Sequence, residues 1–210
     1  MTLSSRNIAF GYPGAEPLFR GFSLTVEAGE RVALCAPSGA GKSTLCRVLA
    51  GYLEPWSGAV TCDGVAVSGR QAGWGAGRGP SPVQLLWQHP EQAFDPRLRM
   101  ERSLAEAGDV QSSRAEELRC AFGIRPVWLQ RLPHELSGGE LMRFCMVRAL
   151  MARPRYLIAD EATAMLDAVT QQELWSALMT LQQREGFGLL LVSHSPALVD
   201  RVSTRRIDLA

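Results

Sequence analysis

The sequence predicts an α/β fold built on a mainly parallel sheet covered on both faces. Three observations carry this. Short apolar runs at residues 31–36, 83–87, 156–159 and 189–192 have the length and composition of strands buried on both sides. Helical patterns alternate with these runs, which is how crossover helices join parallel strands. The residues best suited to chemistry stand directly after the runs, at the carboxyl ends where open α/β sheets bind ligands.

In chain order, residues 8–10 and 22–26 read as strands, the second alternating apolar and polar. Ala28-Gly29-Glu30 makes a turn into the run at 31–36. A loop of small residues follows, then a helix over 42–49 that Gly51 is placed to end. Gly69, Gly73, Gly75, Gly77 and Gly79, with Pro80 and Pro82, give 69–82 the composition of a mobile connection, too short to link domains. Residues 98–130 read as mostly helical and polar-faced. Ser137 precedes a long helical pattern reaching Met151. An amphipathic helix is expected over 166–184, with Leu174, Leu178 and Leu181 on one face, and a short helix over 196–201. The chain is thus read as one domain, 1–210, with its core in about 1–97 and 152–210 and a small helical lobe over about 98–151.

Composition narrows the function. Hydrophobic residues make up 46% and charged residues 20%, an ordinary globular balance. The formal net charge of +1 supplies no basic field, so no nucleic-acid partner is expected. Cys35, Cys46, Cys62, Cys120 and Cys145 lack paired spacing and read as packed free thiols of a reducing compartment. Residues 1–10 do not read as a leader, and no apolar stretch approaches the ~20 residues needed to span a bilayer.

Ala36-Pro37-Ser38-Gly39-Ala40-Gly41-Lys42-Ser43-Thr44 joins a strand to a helix. Small residues let backbone N–H groups surround phosphates, and the following helix N-terminus adds its positive dipole end. Lys42 brings a point charge to the β- and γ-phosphates, and the Ser43 hydroxyl can ligate Mg²⁺. Ala36 stands where the commonest form of this loop has glycine, a departure of one methyl. Tyr156-Leu157-Ile158-Ala159-Asp160-Glu161 is an apolar strand ending in two carboxylates. One carboxylate near the metal, through its water shell, and one base for the attacking water is the division a magnesium-nucleotide site requires. Two acids after a strand are often only a solvated turn; beside the phosphate loop they read as Asp160 for the metal and Glu161 as the base.

Leu136-Ser137-Gly138-Gly139-Glu140 opens a helix twenty residues before Asp160. It resembles the signature motif of ATP-binding-cassette (ABC) ATPases, which usually ends in glutamine. The order of the other motifs is similar to that family over nearly the whole chain: Tyr12, the phosphate loop, Gln88, the signature, Asp160-Glu161, Leu166-Asp167, then Ser193-His194. The resemblance implies the P-loop NTPase fold of that cassette, with a β subdomain and a small helical lobe beside the parallel core. It implies that Tyr12 stacks on adenine, and that residues 38–44 hold the phosphates of ATP. Ser43, Gln88 and Asp160 would serve Mg²⁺, and Glu161, His194 and Gln88 catalysis. Ser137, Gly138, Gly139 and Glu140 would face the ATP of a second cassette, and Asp167 would meet that partner. A lone histidine after a strand is more often structural; the motif order favours a role for His194. His89 and His134 read as surface or lobe residues.

Gln88-His89-Pro90-Glu91-Gln92-Ala93-Phe94-Asp95-Pro96-Arg97 resembles the peptide and nickel importer group, as does Pro133-His134-Glu135 before the signature. The resemblance implies an ATP-hydrolysing subunit at the cytoplasmic face of a membrane. It would pair with a second ATPase chain and two permeases and serve a solute-binding protein indirectly. Cargo of peptides, nickel or metal–chelator complexes is expected. An exporter ATPase, or a soluble ABC ATPase of DNA repair or translation, is the alternative, though no coiled coil or second cassette is visible. The chain ends soon after residues 202–209, as a near-minimal cassette would. Glu140 is the residue that departs most. A carboxylate ~6 Å from a nucleotide charge repels by about 3 kcal/mol at an effective dielectric of 20 before screening, with Arg143 in reach to offset it.

Overall fold

In the computed structural model, residues 1–68 and 79–209 are described. Gly69, Gly73, Gly75 and Gly77 of the glycine-rich connection lie outside them.

The amino-terminal strands form an antiparallel sheet. Strand β1 (Thr2–Phe10) pairs with β2 (Phe19–Glu27), Thr2 opposite Glu27 and Phe10 opposite Phe19. On the other side of β1 runs β4 (Ser57–Cys62), with Leu3 opposite Cys62, and β5 (Val65–Ala66) completes the order β2-β1-β4-β5. Strand β4 leaves no mark in the residue pattern, because only Val60 and Cys62 of it are buried and Gly58 interrupts the alternation. That glycine has a reason: its φ is +78°, and a Cβ there would lie 2.3 Å from the Arg6 carbonyl oxygen. The strand is held by its pairing with β1 rather than by local preference.

The apolar runs form the parallel core expected of them. Strands β3 (Arg31–Cys35), β6 (Val83–Leu86), β7 (Tyr156–Asp160), β8 (Gly188–Val192) and β9 (Arg205–Asp208) lie in the order β6-β7-β8-β3-β9. The β7–β8, β3–β8 and β3–β9 ladders are parallel, with Val32 opposite Leu190 and Ile158 also opposite Leu190. Every residue of β7 and β8 is buried, which explains their unbroken apolar sequence. Strand β9 is an edge of largely exposed residues, Arg205-Arg206-Ile207-Asp208, and so carries no apolar signature. Helix α1 (Lys42–Leu49) follows β3, and a short terminal helix (Pro196–Val202) separates β8 from β9.

The chain divides into two compact units. The first takes the described residues of Met1–Leu85, Arg155–Asp160 and Gly186–Ala210; the second takes Leu86–Pro154 and Glu161–Glu185. The second contains α2 (Met100–Ala105), α3 (Ser113–Ala121), α4 (Gly138–Met151) and α5 (Ala168–Glu185), the terminal helix 196–202 being α6. It is larger than the lobe expected over 98–151, because α5 is tied to α3 and α4. Arg114 of α3 donates to both oxygens of Glu185 at 2.9 and 2.7 Å, Arg143 of α4 donates to Glu173 at 2.7 Å, and Arg184 pairs with Glu117. Burial would raise the Glu185 carboxyl, but hydrogen bonds from Arg114 and Arg184 outweigh it and hold it below the usual range. Residues 98–130 are less helical than expected. Between α2 and α3 lies a turn at 106–112, and 126–130 is a 3₁₀ turn opened by Pro126. Helix α5 starts at Ala168 rather than 166, because the Asp167 carboxylate accepts from the N–H groups of Val169 (3.1 Å) and Thr170 (3.0 Å) and caps it.

Candidate functional site

The phosphate loop lies in the first unit. Strand β3 ends at Cys35, and the chain turns through Gly39 (φ +81°) and Gly41 (φ +85°) into α1. Gly41 is the residue before the helix, in the left-handed conformation, and no side chain caps the first N–H groups of α1. No acid stands in the first turn, so this helix end is electrostatically receptive to an anion. Lys42 is only 7% exposed. Its ammonium donates to the carbonyl oxygens of Ala36 (3.0 Å) and Pro37 (2.9 Å), which holds the charge at the mouth of the loop. The alanine in place of glycine at 36 leaves this arrangement intact, since its backbone carbonyl is the acceptor.

Tyr12 follows β1 in the same unit. It is 43% exposed, and its hydroxyl lies 3.3 Å from that of Thr44 in the first turn of α1. The Phe10 ring meets it edge-on at 5.4 Å. Asp160 ends β7, 5% exposed. Its field reaches α1: burial first, and then the Asp160 carboxylate, raise the Cys46 thiol well above its usual value, while Lys42 and Arg47 oppose them. His194 is exposed just past the end of β8.

Glu161 opens the second unit, directly after Asp160 in the chain. Its φ of +49° is left-handed, a backbone conformation that costs a non-glycine residue about 1 kcal/mol or more. The Gln88 side-chain amide, two residues past β6, donates to Glu161 Oε2 at 3.3 Å. The structure therefore joins two residues that the sequence could only place in order. The left-handed backbone at Glu161 has no signal in residue type.

The signature segment is also in the second unit. Ser137 caps α4: its Oγ accepts from the Glu140 N–H at 3.3 Å, and Glu140 Oε2 accepts from the Ser137 N–H at 2.8 Å. Arg143 was expected to offset the Glu140 charge. It does not pair with it: its guanidinium donates to the Phe122 carbonyl (2.8 Å) and to Glu173 (2.7 Å). The charge meets the positive end of α4 instead. Ser137, Gly138 and Gly139 line a cleft of about 410 Å³ with Arg125, Trp128 and Asp167. Arg125 and Trp128 stand too far from the motif in the chain for spacing to link them to it, and only the fold brings them to the cleft. Glu140→Gln is expected to keep the reciprocal cap and change stability by no more than a few tenths of a kcal/mol. Glu140→Ala should cost about 1 kcal/mol, as lost caps do. Urea unfolding of the three proteins checks this, and equal costs for both variants would count against the cap.

The donors fit magnesium. In the first unit the Ser43 hydroxyl, half-buried beside Lys42, and the Asp160 carboxylate are hard oxygen ligands of the kind magnesium takes. Among the described residues no group of three or more His, Cys, Asp or Glu could hold a metal alone.

Residues 19–164 match the family model for the ABC transporter domain. A putative peptide import ATP-binding protein of Brucella abortus (strain 2308) is 37% identical over 193 residues, 87% of this chain and 57% of that protein. The nickel import ATP-binding protein NikE of Rhodospirillum rubrum is 37% identical over 198 residues, 89% of this chain and 70% of its own length. The probable D,D-dipeptide transport ATP-binding protein DdpF of Escherichia coli (strain K12) is 32% identical over 88% of this chain and 58% of its own. The chain thus spans little more than half the length of several curated relatives. Among solved structures, an ATP-binding subunit of an ABC transporter superposes with a TM-score of 0.82 at 25% identity, covering 100% of this chain and 86% of that one. A dimeric ATP-binding cassette bound to ADP and Pi gives 0.81 at 23% identity, over 100% and 94%, a likeness of fold.

Proposed function

The chain belongs to the ABC transporter family, and from that premise we propose that it binds and hydrolyses ATP as the ATPase subunit of an importer. The observation that carries this is the loop around Lys42: a buried ammonium held at the mouth of left-handed glycines, ahead of an uncapped helix N-terminus. In this reading residues 38–44 take the phosphates, Lys42 exchanging its carbonyl partners for phosphate oxygens. Tyr12 offers its exposed face to the base. Ser43, Asp160 and Gln88 would hold magnesium, which would supply charge neutralisation to the phosphates. Glu161 takes the proton of the attacking water, with Gln88 fixing its carboxylate, and His194 meets the γ-phosphate.

The signature cleft faces the ATP of a second cassette, of the same or a related chain, and the pair drives two permeases from the cytoplasmic face of a membrane. A solute-binding protein delivers the cargo. The cargo is a peptide, nickel or a metal–chelator complex, and relatives named for peptide and nickel import support the first two. Among the described residues no helix is long and apolar enough to cross a membrane. Because each ATP would need the signature of a partner, turnover by the isolated chain should be slow and rise with the square of its concentration where dimers are rare. An ATPase assay over a wide dilution series tests this. Fast turnover per chain that does not change on dilution would contradict the paired site, and failure to co-purify with integral membrane proteins would favour a soluble role.

A further inference from the structure

Trp56 belongs to none of the motifs above, yet it is built into the support of Tyr12. It stands just before β4 and is 55% exposed, an unusual position for a large ring. Its backbone is fixed, since its N–H donates to the Ala9 carbonyl at 2.8 Å. The indole covers Gly11. A Cβ on that glycine would lie 2.6 Å from Cη2 and 3.0 Å from Cζ2 of the ring, and 3.0 Å from the Pro17 Cα on another side. Gly11 lies outside the left-handed region, so glycine is needed there for space and not for conformation. The same indole packs on Phe10, centroids 6.3 Å apart at 32°, and Phe10 in turn meets Tyr12 edge-on. The Tyr12 hydroxyl then reaches Thr44 of α1.

These contacts run without a gap from Trp56, through Phe10 and Gly11, to Tyr12. Tyr12 is itself on an exposed turn, with Ala15 N–H donating to its carbonyl at 3.1 Å. Its ring is met by the edge of Phe10 and its hydroxyl by Thr44. We infer that Trp56 is a positioning residue for nucleobase binding: it clamps Gly11 and Phe10 so that Tyr12 is presented in one orientation before ATP arrives. This rests on the proposed role of Tyr12 at the base. The gain is preorganisation. Ordering one backbone residue and its ring on binding would otherwise be charged against affinity.

The test separates the base from the phosphates. Binding of Mg–ATP and of magnesium tripolyphosphate, which has no base, is measured by calorimetry on the full chain, with kcat and KM for ATP. Trp56→Ala should weaken ATP binding about five- to tenfold and raise KM, while tripolyphosphate affinity changes less than about twofold. Trp56→Phe, which keeps a flat ring, should recover most of the loss. Trp56→Leu supplies bulk without the ring and should show the same split as alanine if Trp56→Ala does not fold. Gly11→Ala should weaken ATP binding when Trp56 is present, and less in the Trp56→Ala background, because the tightest clash, 2.6 Å, is with the indole and only the 3.0 Å approach to Pro17 remains. Equal loss of ATP and tripolyphosphate, or no loss of either, overturns the inference. If Tyr12→Ala binds ATP normally, the base-binding reading of Tyr12 falls and takes this one with it. If Tyr12→Ala weakens ATP and Trp56→Ala does not, the inference alone fails.

Discussion

Lys42→Ala is expected to lower the affinity for Mg–ATP by about a hundredfold. The ammonium is buried and already oriented by the Ala36 and Pro37 carbonyls, so it needs little rearrangement to reach phosphate oxygens. Hydrogen bonds to charged groups contribute about 1.5–3 kcal/mol each, and about 2.8 kcal/mol corresponds to a hundredfold in affinity. The fold itself should suffer little. Ala36 is half-buried and Pro37 exposed, so water can replace the lost donor at both carbonyls. Lys42→Arg should not rescue binding, because a planar fork cannot occupy the place of a compact ammonium between two carbonyls. Calorimetric titration with Mg–ATP, together with a thermal melt, separates the two effects. Unchanged nucleotide affinity in a folded variant would remove the phosphate loop from the proposed site.

The parallel core was readable because β3, β7 and β8 are buried on both faces, and such strands leave unbroken apolar runs. Strands β4 and β9 were not, for opposite reasons. One is disguised by Gly58, which the close passage of β1 requires, and the other is an exposed edge whose register is set by β3. The phosphate loop was legible as a sequence because its chemistry needs small residues and one lysine at fixed spacing. What spacing could not supply was side-chain commitment. Glu140 and Arg143 stand three apart on α4, near enough to pair. Yet Arg143 is taken by Phe122 and Glu173, and Glu140 turns back to Ser137. In the proposed pair, the repulsion between Glu140 and a partner's nucleotide would therefore be reduced at its source, because the helix end already shares that charge. Trp56 was invisible for a similar reason: its partners, Ala9 and Gly11, lie more than forty residues away in the chain.

Glu161→Gln is expected to leave ATP binding within about twofold and to cut turnover by a factor of 10²–10⁴, the usual contribution of a general base, or about 3–5 kcal/mol of barrier. An amide has no basic oxygen for the proton of water, but it has the same shape. The Gln88 amide can still donate to the remaining carbonyl oxygen, so the 3.3 Å contact survives the change. The left-handed backbone at 161 also stays, since glutamine and glutamate share its steric cost. Binding therefore has no reason to change, and ATP that is bound but not cleaved should hold two chains together and accumulate as a dimer. Gln88→Ala makes the complementary case. It keeps the base but frees its carboxylate, so it should lower kcat less than Glu161→Gln does, and combining the two should cost little beyond Glu161→Gln alone. Single-turnover hydrolysis and gel filtration with ATP measure both. Near-normal single-turnover rates in Glu161→Gln would mean that another group takes the proton. Full additivity in the double variant would mean that Gln88 acts on something other than the Glu161 carboxylate.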